Sequence, residues 1–149
     1  MAPIQQSIQA DIYVHASRGA VWRHFGAISL WPEWYPRVLS VRWIEGEPWS
    51  EDAVMQVFVK NSLGMTASGL GVVRLCLPEE RAVWENAMSG LTTVCIARFE
   101  ENVGGCKLTL KKSYHGVGAV AIPLLKNGQR RALTQALQNL KKIVEGQPR

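Results

Sequence analysis

The chain has 149 residues, 47% apolar and 19% charged, with a mean hydropathy of −0.03 and a formal net charge of +5. This suits one domain with enough apolar material for a core, and it excludes an eight-fold β/α barrel, which needs roughly 250 residues, or a two-domain dinucleotide enzyme. Six Trp, three Tyr and three Phe exclude a solvated coil, and no apolar stretch approaches the ~20 residues of a membrane helix.

Cys76, Cys95 and Cys106 share no close spacing, which argues against a disulfide framework or a Cys-rich zinc site. The opening MAPIQQSIQADIYV lacks the basic start and apolar run of a signal peptide, so the chain reads as cytoplasmic. The excess charge is local. Six cations (Lys126, Arg130, Arg131, Lys141, Lys142, Arg149) face one anion, Glu145, after residue 125, and the rest balances at eleven of each sign. No nucleic-acid recognition module accompanies these cations, and they read as the solvated face of a helix near the negative end of its dipole.

In chain order, Ile8, Ala10, Ile12 and Val14 alternate with polar neighbours and predict a half-buried strand. Ser17 is placed to cap a helix over 18–25 that turns Val21, Trp22 and Phe25 to one face. Pro32 and Pro36 allow only a short helical turn in Leu30-Trp31-Pro32-Glu33-Trp34-Tyr35-Pro36. Six strands follow, over 38–45, 53–60, 65–77, 82–88, 91–100 and 107–115. Gly-, Pro- and Asn-rich separators at hairpin spacing predict that they are sequential and antiparallel. A long helix over 119–145 closes the chain, with Ile122, Leu125, Ala132, Leu133, Ala136, Leu137, Leu140, Ile143 and Val144 in a 3.6-residue rhythm. The order predicts a single α+β domain over 1–149.

Ile12-Tyr13-Val14-His15-Ala16-Ser17, Ala20-Val21-Trp22, Trp31-Pro32-Glu33-Trp34-Tyr35-Pro36 and Val38-Leu39-Ser40-Val41 resemble the START-like helix-grip superfamily. Within it they are most similar to the bacterial polyketide cyclase/dehydrase and lipid-transport (SRPBCC-type) branch. The likeness is motif-level over about the first 45 residues and extends to the whole chain in element order. It implies a curved seven-stranded antiparallel sheet wrapped around the C-terminal helix, with an apolar cavity between them. Independently, one amphipathic helix is too narrow to cover such a sheet, so large side chains or a cavity must occupy the remainder.

Alternation names the inward candidates: Val41 and Trp43; Met55, Val57 and Val59; Val73 and Leu75; Trp84; Thr93, Cys95, Ala97 and Phe99; Leu108, Leu110 and Tyr114. Of the tryptophans, Trp22, Trp31 and Trp34 read as scaffold, and Trp43 and Trp84 as cavity walls. The expected ligand-binding set is Trp43, Met55, Val57, Val59, Trp84, Thr93, Cys95, Tyr114 and Leu125.

Little points to catalysis. His15, His24 and His115 are isolated and offer no metal-ligand spacing, Ser68 lacks a nucleophile elbow, and the cysteines have no partnered histidine. Gly116-Val117-Gly118-Ala119-Val120-Ala121 matches a nucleotide loop, but the chain offers neither the second parallel strand nor the later acidic residue, so no cofactor is expected. Glu85 and Arg98 fall on the outer face. Tyr114, pointing inward, and His115, at the cavity mouth, are the only candidates for chemistry. The leading reading is a binder or carrier of a small, mostly apolar ligand. The alternatives are a polyketide cyclase/aromatase or dehydratase acting without metal, and a lipid or quinone chaperone whose basic helix touches a membrane surface. Neither a nucleic-acid partner nor membrane insertion is expected, and homodimerisation is left open.

Overall fold

The structure, a computed structural model, describes residues 5–61, 63–88, 90–116 and 122–146. Strand β1 (Gln5–Val14) is followed by α1 (Arg18–Gly26), a 3₁₀ turn (Ile28–Leu30) and the four-residue α2 (Trp31–Trp34). Six strands come next: β2 (Val38–Glu45), β3 (Val54–Lys60), β4 (Thr66–Leu77), β5 (Arg81–Met88), β6 (Leu91–Asn102) and β7 (Gly105–His115). Helix α3 (Ile122–Glu145) ends the described chain. The Ser17 hydroxyl accepts from the Ala20 N–H at 3.1 Å and caps α1, and Pro32 sits in the first turn of α2, where its missing N–H costs nothing.

The sheet has seven strands in the order β1-β7-β6-β5-β4-β3-β2, every pair antiparallel. β2 to β7 pair in sequence through hairpins, and β1 joins the far edge beside β7, so the segment from α1 to α2 carries the chain from one edge to the other. This is the expected helix-grip arrangement. The expected helix start over 119–121 lies outside the described residues.

Helix α3 packs on β1, α1 and α2. Leu133, Ala136, Leu137, Leu140 and Val144 are its buried stripe, and each buried leucine contributes roughly 1.5–3 kcal/mol. Polar bonds hold its register. Asn139 Nδ2 donates to the Trp34 carbonyl at 3.0 Å, and Lys141 Nζ donates to the Tyr13 carbonyl at 2.8 Å. The His15 N–H donates to Glu145 Oε2 at 2.8 Å.

One expected inward residue is on the wrong face. In β4 the register runs Val73 opposite Trp84 and then Leu75 opposite Val83, so Arg74 is an extra residue. This bulge reverses parity: Val73 is fully buried, Leu75 is exposed, and Cys76 takes the half-buried position opposite Ala82. Arg74 reaches Asp52 at 3.3 Å and Glu85 at 3.5 Å across the outer face. Arg98 lies within 4.0 Å of Glu100, also outside, which agrees with the outward placement of Glu85 and Arg98.

Candidate functional site

The inner face of the sheet is read most directly as rows of register partners. One row runs Val73, Trp84, Cys95, Lys112 and Ile8 across β4, β5, β6, β7 and β1. The next runs Met55, Gly71, Asn86, Thr93, Tyr114 and Gln6. A Cβ at Gly71 would stand 2.6 Å from Asn86 Oδ1 and 2.8 Å from Met55 Cγ, so a larger residue would push both side chains aside. The absence of a Cβ lets both side chains lie over β4.

Above the first row α1 and α2 set an aromatic layer. Phe25 meets Trp31, Trp34, Trp84 and Phe99 at ring separations of 5.8, 5.7, 6.0 and 5.3 Å, and Trp31 meets Trp84 at 5.6 Å. Such pairs add about 0.5–1.5 kcal/mol each beyond their burial. Trp49 joins from the loop between β2 and β3, with its indole N–H donating to the Gly26 carbonyl at 2.8 Å.

Where this layer meets the sheet, a cleft remains. Phe25, Trp31, Trp34 and Tyr35 form one wall, and Trp84, Cys95, Leu110 and Lys112 the other. It holds about 260 Å³ of space free of atoms, part of it open to solvent, and only about 10 Å³ admits the centre of a water molecule. Pockets that enclose drug-sized ligands run to ~300–1,000 Å³. Among the described residues the aromatic side chains leave little of this cleft open.

Lys112 gives the cleft its charge. The residue is half-buried, and its ammonium sits 4.6 Å from the centroid of the Tyr35 ring, a cation–π contact. No carboxylate of the described residues pairs with it. Burial disfavours its charge, but Tyr35, Cys95 and Tyr114 attract it as they ionise and hold its pKa above the usual lysine value. Burial pushes the Cys95 thiol up to about 11 and the Tyr114 phenol up to about 12, with Lys112 pulling each the other way. All three groups keep their protons at neutral pH.

The surrounding polar atoms are mostly donors as well. Trp34 Nε1, Trp84 Nε1 and the Tyr114 hydroxyl are buried without a hydrogen-bond partner among the described residues, as is the acceptor Asn86 Oδ1. The other indoles of the layer are satisfied: Trp31 Nε1 donates to the Phe25 carbonyl at 2.7 Å, and Trp49 as described. Buried polar groups normally find partners, so unpaired donors on the walls of the cleft (Trp34, Trp84) and beside Lys112 on β7 (Tyr114) leave room for an acceptor.

The expected residues divide. Trp84 and Cys95 line the cleft. Tyr114 is buried one inward position beyond Lys112 on β7, with Thr93 half-buried opposite it. Met55 and Val57 are buried farther along the same face on β3, and Val59 is half-buried. Trp43 is half-buried against Trp49 at 5.3 Å and does not line the cleft. The Leu125 side chain lies outside the described residues. His115 is half-buried at the end of β7. The division of the tryptophans needs correcting, because Trp31 and Trp34, read as scaffold, are cleft walls.

The sequence reading missed Lys112, Tyr35 and Trp49. Parity alone placed Lys112 between Leu110 and Tyr114 on the inner face, but a lysine within an apolar set invites being passed over. His24, on α1, is buried outside the cleft lining; burial lowers its pKa, against Glu33, which raises it. No three metal-ligating side chains converge among the described residues, and no described helix is long and apolar enough to cross a membrane.

A family profile described as polyketide cyclase / dehydrase and lipid transport matches residues 5–145. A search of curated proteins finds no match. Among solved structures, Ara h 8.0201 superposes with a TM-score of 0.78 at 13% identity, over 97% of this chain and 100% of that one. The Zhui aromatase/cyclase from Streptomyces sp. R1128 superposes with 0.77 at 13% identity, over 95% and 94%. The di-domain ARO/CYC StfQ of the steffimycin biosynthetic pathway superposes with 0.78 at 14% identity, over 95% of this chain and 52% of that one. At these identities the superpositions speak for the fold.

Proposed function

Since the chain belongs to the polyketide cyclase / dehydrase and lipid transport family, we propose that it binds a small, mostly apolar ligand in the cleft between the aromatic layer and the sheet. The observation that carries this reading is the cleft's composition: rings on both sides, two of them (Trp34 and Trp84) with buried indole N–H groups that have no partner among the described residues. An interior built for stability alone would pair those atoms or replace them with apolar ones. The size of the cleft sets the terms of binding. So little of the cleft is open that even a single-ring ligand must displace lining side chains as it enters.

A cyclase or dehydratase needs a base beside its acid. The groups with resolved shifts in the lining, Lys112 and Cys95, and Tyr114 beside Lys112 on β7, are all protonated at neutral pH, and His24 stands outside the lining. Binding is therefore the reading this geometry supports. The test is titration with the neutral fluorophore N-phenyl-1-naphthylamine. Binding should raise its emission, and aromatic or acyl competitors should reverse the rise. Native mass spectrometry of freshly purified protein would then identify any retained molecule. No probe binding by the folded protein would overturn the proposal.

A further inference from the structure

The donors and charge at the cleft decide which ligands it prefers. Lys112 supplies a positive charge with no carboxylate partner among the described residues. Trp84 shares its row two strands away, about 10 Å across the sheet at ~4.8 Å per strand. Tyr114 is next on β7, and Trp34 faces them from α2. The Trp34 and Trp84 N–H groups and the Tyr114 hydroxyl have no partner among the described residues. The set thus holds three unused neutral donors and one cation, against one unused acceptor, Asn86 Oδ1, two strands from Tyr114 on its row. A hydrocarbon would leave all of them unsatisfied, and an amine would add a second positive charge beside Lys112. An ionised oxygen answers both needs, because it accepts several hydrogen bonds and neutralises the amine in a site largely closed to water. The walls specify the rest of the molecule: Phe25, Trp31, Trp34 and Trp84 present rings to a flat partner.

We propose that the Lys112 end of the cleft is an oxyanion-binding site that selects planar aromatic ligands carrying an ionised oxygen, received by the Lys112 ammonium with the Tyr114 hydroxyl and the Trp84 and Trp34 N–H groups as donors. The inference rests on the reading of the cleft as a ligand site and adds the ligand's chemical class. An aryl carboxylate and a phenolate or enolate share this chemistry, and the test separates them.

Isothermal titration of the full chain compares benzoate and 2-naphthoate with benzamide and 2-naphthamide, which match them in shape and lack the charge. A second arm compares 4-nitrophenolate with 4-nitroanisole. The expected result is a preference of about 10- to 100-fold for the ion over its neutral counterpart, the range of a charge-assisted hydrogen bond. The stronger arm names the source. Lys112→Met should abolish the preference, lowering ion affinity at least about tenfold more than amide affinity. Lys112→Arg should retain much of the preference, and Tyr114→Phe should reduce it several-fold. Equal affinity of the wild-type chain for ion and neutral counterpart in both arms would overturn the oxyanion site and leave the cleft reading intact. This comparison needs no variant to fold. Equal loss of ion and amide in Lys112→Met would make Lys112 a packing residue and would also overturn the proposal. Binding of none of the probes would overturn both readings.

Discussion

Tyr114→Phe should stabilise the unliganded protein. The ring is 4% exposed, and its hydroxyl has no hydrogen-bond partner among the described residues. An unsatisfied buried hydroxyl costs about 1–3 kcal/mol relative to its solvated state, and the substitution removes that cost while keeping the ring. The void left by one oxygen, at about 24 cal/mol per Å³ of cavity, returns only a few tenths of a kcal/mol. The net expectation is a gain of about 1–2 kcal/mol. For a chain of this size that is a rise in Tm of roughly 3–6 °C. Urea unfolding followed by tryptophan emission would measure it, with an unchanged m-value confirming that the midpoint shift reflects stability. With an oxygen-bearing ligand present the order should close or reverse, because the variant loses about 0.5–1.5 kcal/mol of binding. A variant less stable than wild type by about 1 kcal/mol or more would refute the reasoning. It would mean that the hydroxyl has a partner in solution and is an ordinary core group, and the donor surplus at the cleft would shrink accordingly.

Trp49→Ala should cost about 3–5 kcal/mol, the usual penalty for deleting a large packed aromatic, and chemical denaturation would check it; a loss below about 1 kcal/mol would show the loop to be loosely attached. Val73 and Leu75 test the bulge: Leu75→Ser should change stability by about 0.5 kcal/mol or less, whereas Val73→Ser should cost several-fold more, and comparable losses would mean that parity is unbroken. Glu145→Gln should cost about 1 kcal/mol at neutral pH, because the carboxylate accepts from the His15 N–H and Lys141. Those bonds lower its pKa, so its contribution is fully present above the ordinary glutamate value and is lost as pH falls through the lower folded value. The stability gap between wild type and variant should therefore close in acid, and a gap independent of pH would assign the loss to packing.

By itself the sequence determined what depends on local chemistry and period. Turn residues fixed the hairpin spacing, Ser17 fixed the start of α1, and alternation placed Met55, Trp84, Cys95 and Tyr114 on the inner face. The 3.6-residue rhythm marked the stripe of α3 from Leu133 to Val144. These signals are legible because a strand or helix buries one face, and the pattern of that face is written in neighbouring residues. What the tertiary structure decided depends on residues far apart in the chain. The bulge at Arg74 arises from pairing with β5, and no period announces it. Trp49 adopts a φ of 62°, which bulky side chains avoid, while its indole is held by a carbonyl 23 residues away and by rings from α1, α2, β2 and β5. Lys112 looked like one more surface lysine beside Lys111. It gains its meaning because β7 turns it inward, α2 lays the Tyr35 ring against it, and no carboxylate among the described residues comes near enough to pair with it. Whether a charge is solvated or enclosed depends on what the fold places around it, and that is decided in three dimensions.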